Sequence, residues 1–254
     1  MIPLPNARRY ADEPMAGMLI TCELQPGTPI ADYDPPMLDG LLAAAVVREV
    51  TGGQMLPASR EPYFIPLPLE QLYVSPEGLP LWAASCLWPS EPSVRDMQYL
   101  HRRAQTGQFT AGKKGRFSVD TIKGRWMERR VPTPTVVTDA LTAYCIGIPE
   151  EVERLLSMIS HVGKRRAAGL GEVKAWHVEP VEISVGNLLI RDGALSRPMP
   201  IEARGLVEPF IPSEGASYVG WTPPYWLPAT MADGWRAGTP VEAHVPHVGE
   251  VVTC

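Results

Sequence analysis

Proline occupies 28 of the 254 positions, roughly twice its usual share, and this limits what the chain can fold into more than any other feature. A ring that fixes φ and removes an N–H donor is confined to first helical turns, edge strands and turns. The sequence therefore reads as short strands, irregular connections and few helices, not as a helical bundle. With 45% hydrophobic and 20% charged residues, there is ample material for a core in one large domain or two small ones. No apolar run reaches the length of a transmembrane helix, and Met1 to Pro14 is too polar and proline-broken for a signal peptide. The expectation is a cytoplasmic protein with no membrane partner. Cys22, Cys86, Cys145 and Cys254 are scattered without a CxxC pair. Three of them fall in strand-like apolar runs, which suits buried free thiols better than zinc ligands or disulfides. No metal or cofactor is expected.

Taken in order, Gly17–Leu24 alternates Met18, Ile20, Cys22 and Leu24 against a mixed face and predicts a first strand. Asp34-Pro35-Pro36 then reads as a helix N-cap with proline in the first turn. Leu38, Leu41, Leu42, Ala45 and Val46 form one helical stripe, ended by Gly52-Gly53. Leu79–Trp88 predicts a second strand and Val136–Ile148 a third. Pro149-Glu150-Glu151 opens a second helix with its acids placed against the dipole, and Val152, Leu155, Leu156 and Ile159 make its stripe. Glu172–Val178 predicts a fourth strand. Strand, helix, strand, insertion, strand, helix, strand is the split βαβ order of an α+β, ferredoxin-like (RRM-like) domain. From residue 183 onward prolines punctuate short strands and turns. The cluster Gly220–Trp226 there is of a kind that covers a core edge or a partner.

Charge is unevenly distributed. The whole chain carries −5, yet residues 95–130 hold 10 basic and 3 acidic side chains, a balance of +7. Residues 1–94 balance to −7 (4 basic, 11 acidic), 131–176 to zero (5 and 5) and 177–254 to −5 (4 and 9). Concentrating cations in this way suits a polyanion held in a defined groove. Lys113, Lys114, Arg116, Lys123, Arg125, Arg129 and Arg130 lie among the aromatics Phe109, Phe117 and Trp126, with glycine breaks at 107, 112, 115 and 124. Cations interleaved with stacking rings suit single-stranded nucleic acid; the other reading is a solvated charged hairpin. The second cationic feature is His161-Val162-Gly163-Lys164-Arg165-Arg166-Ala167-Ala168-Gly169-Leu170-Gly171. It is neither a Walker A loop nor a dinucleotide fingerprint. Either its amides and cations face an anion, or Gly163 ends the second helix and a solvated turn follows.

The Leu38-Asp39-Gly40-Leu41-Leu42-Ala43 helix and the Gly163…Gly169-Leu170-Gly171 loop, taken together, resemble the CRISPR-associated RAMP superfamily. With the basic insertion between the second and third strands, the chain resembles the subunit group that caps the 5′ handle of the guide RNA. Its length and its Tyr-Trp-containing C-terminal portion resemble the type IV version. The resemblance implies a ferredoxin-like domain split into residues 1–94 and 131–182, a thumb-like insertion at 95–130 and a C-terminal extension at 183–254. It also implies a non-catalytic RNA-binding role. Gly163, Gly169 and Gly171 would approach the crRNA backbone, with Lys164, Arg165 and Arg166 at phosphates and His161 beside them. The implied partners are crRNA, a repeated backbone RAMP subunit, a large subunit and a repeat-processing nuclease, with target DNA met indirectly.

Two further readings stand beside this one. A metal-free endoribonuclease would need a base for the 2′-hydroxyl and an acid for the leaving oxygen, and His101 and His161 with Tyr10 or Lys164 are the candidates. His161 would otherwise cap the second helix and complement its dipole. The third reading is a ferredoxin-like protein–protein adaptor whose basic arm binds an acidic partner.

Overall fold

The structure is a computed structural model that describes residues 1–10, 13–102, 120, 122–123, 127–213 and 215–243. Phe109, Lys113, Lys114, Arg116, Phe117, Arg125, Trp126 and Cys254 lie outside the described residues. In chain order the elements that position the site are β1 (Ala16–Leu24), β2 (Ile30–Ala31), α1 (Leu38–Thr51), β3 (Gln71–Val74), β4 (Pro80–Trp82), β5 (Trp88–Pro89), β6 (Val94–Arg102), β7 (Arg129–Val137), β8 (Ala140–Gly147), α2 (Pro149–Leu156), β9 (Val173–Pro180), α3 (Val185–Leu189), β10 (Met199–Pro200), β11 (Ser217–Gly220) and β12 (Met231–Trp235). The protein is thus mixed α/β, with many strands and few helices. None of the described helices is long and apolar enough to cross a membrane.

The central sheet runs β9-β1-β8-β5 with every neighbour antiparallel. The alternation in β1 has a direct structural consequence: Met18, Ile20, Cys22 and Leu24 are buried, and the residues between them are only half-buried. Leu141, Ala143 and Cys145 of β8 turn to the same side. There they meet Leu38, Leu42, Ala45 and Val46 of α1 and Val152, Leu155 and Leu156 of α2, so both helices cover one face. Cys22, Cys86 and Cys145 are free and buried in this arrangement. Burial pushes the Cys22 thiol up to about 12 and raises the Cys86 and Cys145 thiols as well.

Four sequence expectations are corrected. Asp34 does not cap α1; Met37 occupies the N-cap in an extended conformation and makes no side-chain cap hydrogen bond. The strand expected over 79–88 is broken, because the Ala84 N–H turns back to the Trp82 carbonyl. Ser85 then bonds Tyr144 through both backbone and side chain, the Tyr144 N–H donating to Ser85 Oγ at 2.9 Å. The third strand begins at Ala140, since Thr138 Oγ1 donates to the Ser90 and Ala140 carbonyls at a corner where β7 leaves for another sheet. Finally, α2 ends at Leu156, so Gly163 is not its C-cap. Ile159 continues the apolar stripe beyond the end of the helix.

A second core lies on the other side of the sheet. Leu79, Leu81 and Ala83 join Leu188, Leu189, Leu195, Met199, Val207 and Trp221, with Tyr144 and Ile146 of β8 packed against them. Between the two cores sits a buried ion pair, Arg197 with Asp39, 2% and 1% exposed in their side chains. Arg197 Nη2 donates to Asp39 Oδ2 at 3.0 Å and to the Trp221 carbonyl at 2.9 Å. Nη1 donates to the carbonyls of Ala84 and Trp82, and Nε to that of Pro198. The Tyr225 hydroxyl donates to Asp39 Oδ1, which also accepts the Gly40 N–H. Burial opposes the charge on Arg197, but the charge and hydrogen bond of Asp39, with Tyr225 and Cys86 beside it, together hold the guanidinium above its ordinary value. Burial, reinforced by the same carboxylate, holds the Tyr225 hydroxyl protonated well beyond its usual range.

Breaking one half of such a pair leaves an uncompensated charge in the interior. Asp39→Ala should lower the unfolding free energy by about 3–5 kcal/mol, read by urea denaturation at neutral pH. A loss below about 1 kcal/mol, the scale of an exposed pair, would contradict the role given to this node.

Candidate nucleic-acid interface

The cationic loop is built on a two-stranded neck. After α2 the chain extends, His161 bridges Glu172, and the neck is closed by Val162 N–H to the Gly171 carbonyl at 2.8 Å and Val173 N–H to that of Ser160 at 2.9 Å. Val162 and Leu170 are buried and pin the neck, while residues 164–169 are exposed. Within the loop a single 3-10 turn spans Arg166–Ala168, with Arg165 at φ +64° and Gly169 at φ +82° on either side. The Ala168 and Gly169 amides donate to the Arg165 and Arg166 carbonyls, and the Gly171 amide to Pro29 at 3.0 Å. Those N–H groups are already engaged, so the amide concavity expected from the glycines is partly occupied by the protein's own carbonyls. The positive charge of the loop is carried by side chains.

The three glycines differ in role. Gly171, at φ +66°, has the Val162 carbonyl oxygen 2.1 Å from where a Cβ would stand. Gly163, at φ +77°, has Ile30 Cγ1 at 3.0 Å from the same point. Both serve close packing of the neck. Gly169 faces open space, with nothing within 4 Å of a Cβ.

The loop rests on residues 29–34, which form a strut to the second cationic element. That element is the β6–β7 hairpin, paired from Val94↔Val137 to Arg102↔Arg129. β2 pairs with β7 at Val136 and Thr135, and the Asp32 N–H donates to the Pro134 carbonyl at 2.8 Å. The strut also carries the carboxylates that meet both cationic elements. Asp34 Oδ2 lies 3.3 Å from Lys164 Nζ, which stands 4.9 Å above the Tyr33 ring, and Asp32 Oδ2 lies 3.2 Å from Arg95 Nε. Arg165 and Arg166 have no ionic partner among the described residues.

Farther out on the hairpin, Tyr99 sits directly opposite Pro132, and the Arg130 guanidinium lies 3.8 Å from the Tyr99 ring centroid. Tyr99 is 46% exposed, and His101, Arg129 and Arg130 are exposed. Arg129 and Arg130 therefore stand on a regular ladder of nine residues in each strand. Lys123 is exposed in a short turn whose amide is held by Asp120 Oδ1 at 3.0 Å.

The histidines fall on different elements. His101 lies in β6, opposite Arg130. His161 lies in the neck, with Nδ1 3.1 Å from Ser160 Oγ, and is neither a cap nor at the end of α2. Tyr10 turns its hydroxyl to Glu151 Oε2 at 3.5 Å, beside Arg8 at the start of α2. Among the described residues, no three His, Cys, Asp or Glu side chains stand together as a cation site. Sequence reasoning missed the strut altogether. Its signal was Tyr33 flanked by Asp32 and Asp34, a ring and two carboxylates just before the first predicted helix.

The arrangement is a small mixed α/β protein with two exposed cationic elements set on one strut, a class in which charge is carried on a loop and a hairpin and not around an enclosed cavity. A family model described as CRISPR type IV associated protein Csf3 matches residues 17–233, and the chain belongs to that family, as a RAMP-like subunit of a type IV CRISPR complex. The match takes in the buried node as well as the loop. No curated protein matches the chain.

The glycine geometry separates two substitutions that look alike in the sequence. Gly169→Ala meets only the left-handed backbone and should cost about 1 kcal/mol. Gly171→Ala adds a collision with a backbone carbonyl and should lower the thermal midpoint clearly further. Equal midpoints for the two variants would contradict the packing described for the neck.

Proposed function

We propose that this chain is a non-catalytic RNA-binding subunit of a type IV CRISPR ribonucleoprotein, capping the 5′ handle of the crRNA in the cytoplasm. It contacts a repeated backbone subunit and a large subunit there, and meets target DNA only through the complex. Family membership supports the setting. The reading rests above all on the strut: Pro29 and Asp34 hold the 163–171 loop while Ile30, Ala31 and Asp32 hold the hairpin. Two cationic elements from separate parts of the sequence are thereby joined through one short segment. The order β9-β1-β8-β5 corresponds to fourth, first, third and second strand, with both helices on one face. That order supports a ferredoxin-like core, with the β6–β7 hairpin as the base of its thumb.

On this reading phosphates meet Arg165 and Arg166, and a ribose or phosphate lies against Gly169, where the space is open. Bases stack on rings and guanidinium planes such as the Tyr99–Arg130 pair. Exposed Lys123 and Arg129 are further candidates for phosphates, and Lys113, Lys114, Arg116 and Arg125 with Phe109, Phe117 and Trp126, which lie outside the described residues, are proposed to take part in the same binding.

Titrating crRNA at several salt concentrations tests this directly. Arg165→Ala with Arg166→Ala should weaken binding and reduce the salt slope by about 0.7 for each single-strand phosphate that is no longer neutralised. Gly169→Ala should weaken binding more than its small loss of stability accounts for. Normal RNA affinity in both variants would remove the loop from the interface. Absence of crRNA binding by the wild-type chain would favour the adaptor reading.

Incubation with repeat RNA in EDTA addresses catalysis. The RNA should remain intact, and His101→Ala and His161→Ala should leave crRNA ends unchanged in cells carrying the whole system. Cleavage in EDTA that either substitution abolishes would establish the endoribonuclease instead.

A further inference from the structure

The C-terminal extension presents a large aromatic side chain to solvent on a tightly fixed turn. Trp226 is 78% exposed. On one side of it, Tyr225 carries its hydroxyl into the Asp39–Arg197 node, and on the other Leu227 is buried. The turn is closed by the Leu227 N–H to the Pro224 carbonyl at 3.1 Å and by Thr230 Oγ1 to the Pro224 and Leu227 carbonyls. From beneath, β11 presses against it: a Cβ on Gly220 would stand 2.2 Å from the Tyr225 carbonyl oxygen. With both neighbours anchored inward, the indole between them is held outward. Tyr218 of β11, 56% exposed, reaches the same turn through its hydroxyl, which donates to the Pro228 carbonyl at 3.2 Å. Directly opposite Tyr218 in the β11–β12 ladder stands exposed Asp233. Cross-strand partners of this kind share a face.

We propose that the face carrying Trp226, Tyr218 and Asp233 docks another protein subunit of the same complex, one that presents an arginine-bearing surface. Rigid, exposed Trp and Tyr side chains supply large contact area at low entropic cost and dominate interface energetics. The charge around them selects the partner. Residues 177–254 carry 9 acidic and 4 basic side chains. Of those four, Arg197 is buried in the node, Arg191 is held by Thr142 and Asp192, and Arg204 and Arg236 are exposed. Asp233 on this face repels a phosphate. A guanidinium is attracted to the same face, since it can stack on an indole and pair with a carboxylate. The face is therefore assigned to protein, and the 163–171 loop and the hairpin to RNA.

The test titrates the full chain into the remaining protein subunits of its type IV complex, assembled without it. The crRNA affinity of the isolated chain and its thermal midpoint are measured in parallel. Trp226→Ala should weaken incorporation on the order of 30-fold, as truncation of a central interface Trp does. Trp226→Phe should fall between, and Asp233→Lys should weaken incorporation too, with crRNA affinity unchanged throughout. Asp233→Lys alters an exposed position and decides the matter if Trp226→Ala melts early. Unchanged incorporation of Trp226→Phe and Asp233→Lys would overturn the proposal. So would a loss of crRNA affinity with incorporation intact, which would make the face an RNA site. Dependence of incorporation on Trp226 in a chain that binds no crRNA would sustain this proposal while removing the RNA-binding function.

Discussion

Arg197 presents five N–H donors, and the fold supplies an acceptor for each of them from three separate stretches of chain. Trp82 and Ala84 come from the segment beside β8, Asp39 from the first turn of α1, and Pro198 and Trp221 from the C-terminal extension. Taking a guanidinium and a carboxylate out of water is unfavourable, and their attraction offsets this only when the remaining lone pairs and protons are satisfied. Here they are satisfied, and the result is geometric. The node allows one position for the start of α1 relative to both the crossing segment and the extension. The described residues beyond 183 therefore belong to the folded body, which agrees with a family match running to residue 233.

Placement of α1 carries through to the interface. The helix begins at Leu38, and the strut immediately before it spans the gap between loop and hairpin. Pro36 accepts from the Leu87 amide, and Met37 bridges Cys86. The junction of strut and helix is thus tied to the same segment that the node grips. Fixing Asp39 fixes, a few residues upstream, the carboxylates that meet Lys164 and Arg95.

Elements whose side-chain period matched their environment were readable in the sequence. Met18, Ile20, Cys22 and Leu24 face the core as their alternation requires, and α1 ends at Gly52 in the left-handed conformation that a terminal glycine signals. Misreadings arose where a tertiary partner overrode a local pattern. Ser85 replaces a regular ladder with side-chain bonds to Tyr144. Asp34 follows the rule for a cap but finds Lys164, 130 residues away. Ile159 prolongs an apolar stripe after the helix has ended, and its carbonyl instead accepts the Trp176 indole N–H. At the candidate site, the exposure of residues 164–166 was legible from their charge, whereas the division of labour among Gly163, Gly169 and Gly171 depends on Ile30 and Val162 and was not. The node was illegible for the same reason, since its two charges lie 158 residues apart and no spacing links them.

Asp32 and Asp34 give the cationic surface a property that neither cationic element would have alone. Each is an internal counter-ion, tethered beside a cation that an external anion would otherwise reach unopposed. A single small anion must compete with a carboxylate already at effective millimolar concentration or above, and it gains little by doing so. A chain of linked phosphates displaces both counter-ions at once, with one loss of translational freedom for the whole exchange. Asp32 and Asp34 thus oppose a small anion at Arg95 and Lys164 while Arg165 and Arg166 stand without a carboxylate, so on the proposed reading a ligand long enough to reach all four cations gains most from the exchange.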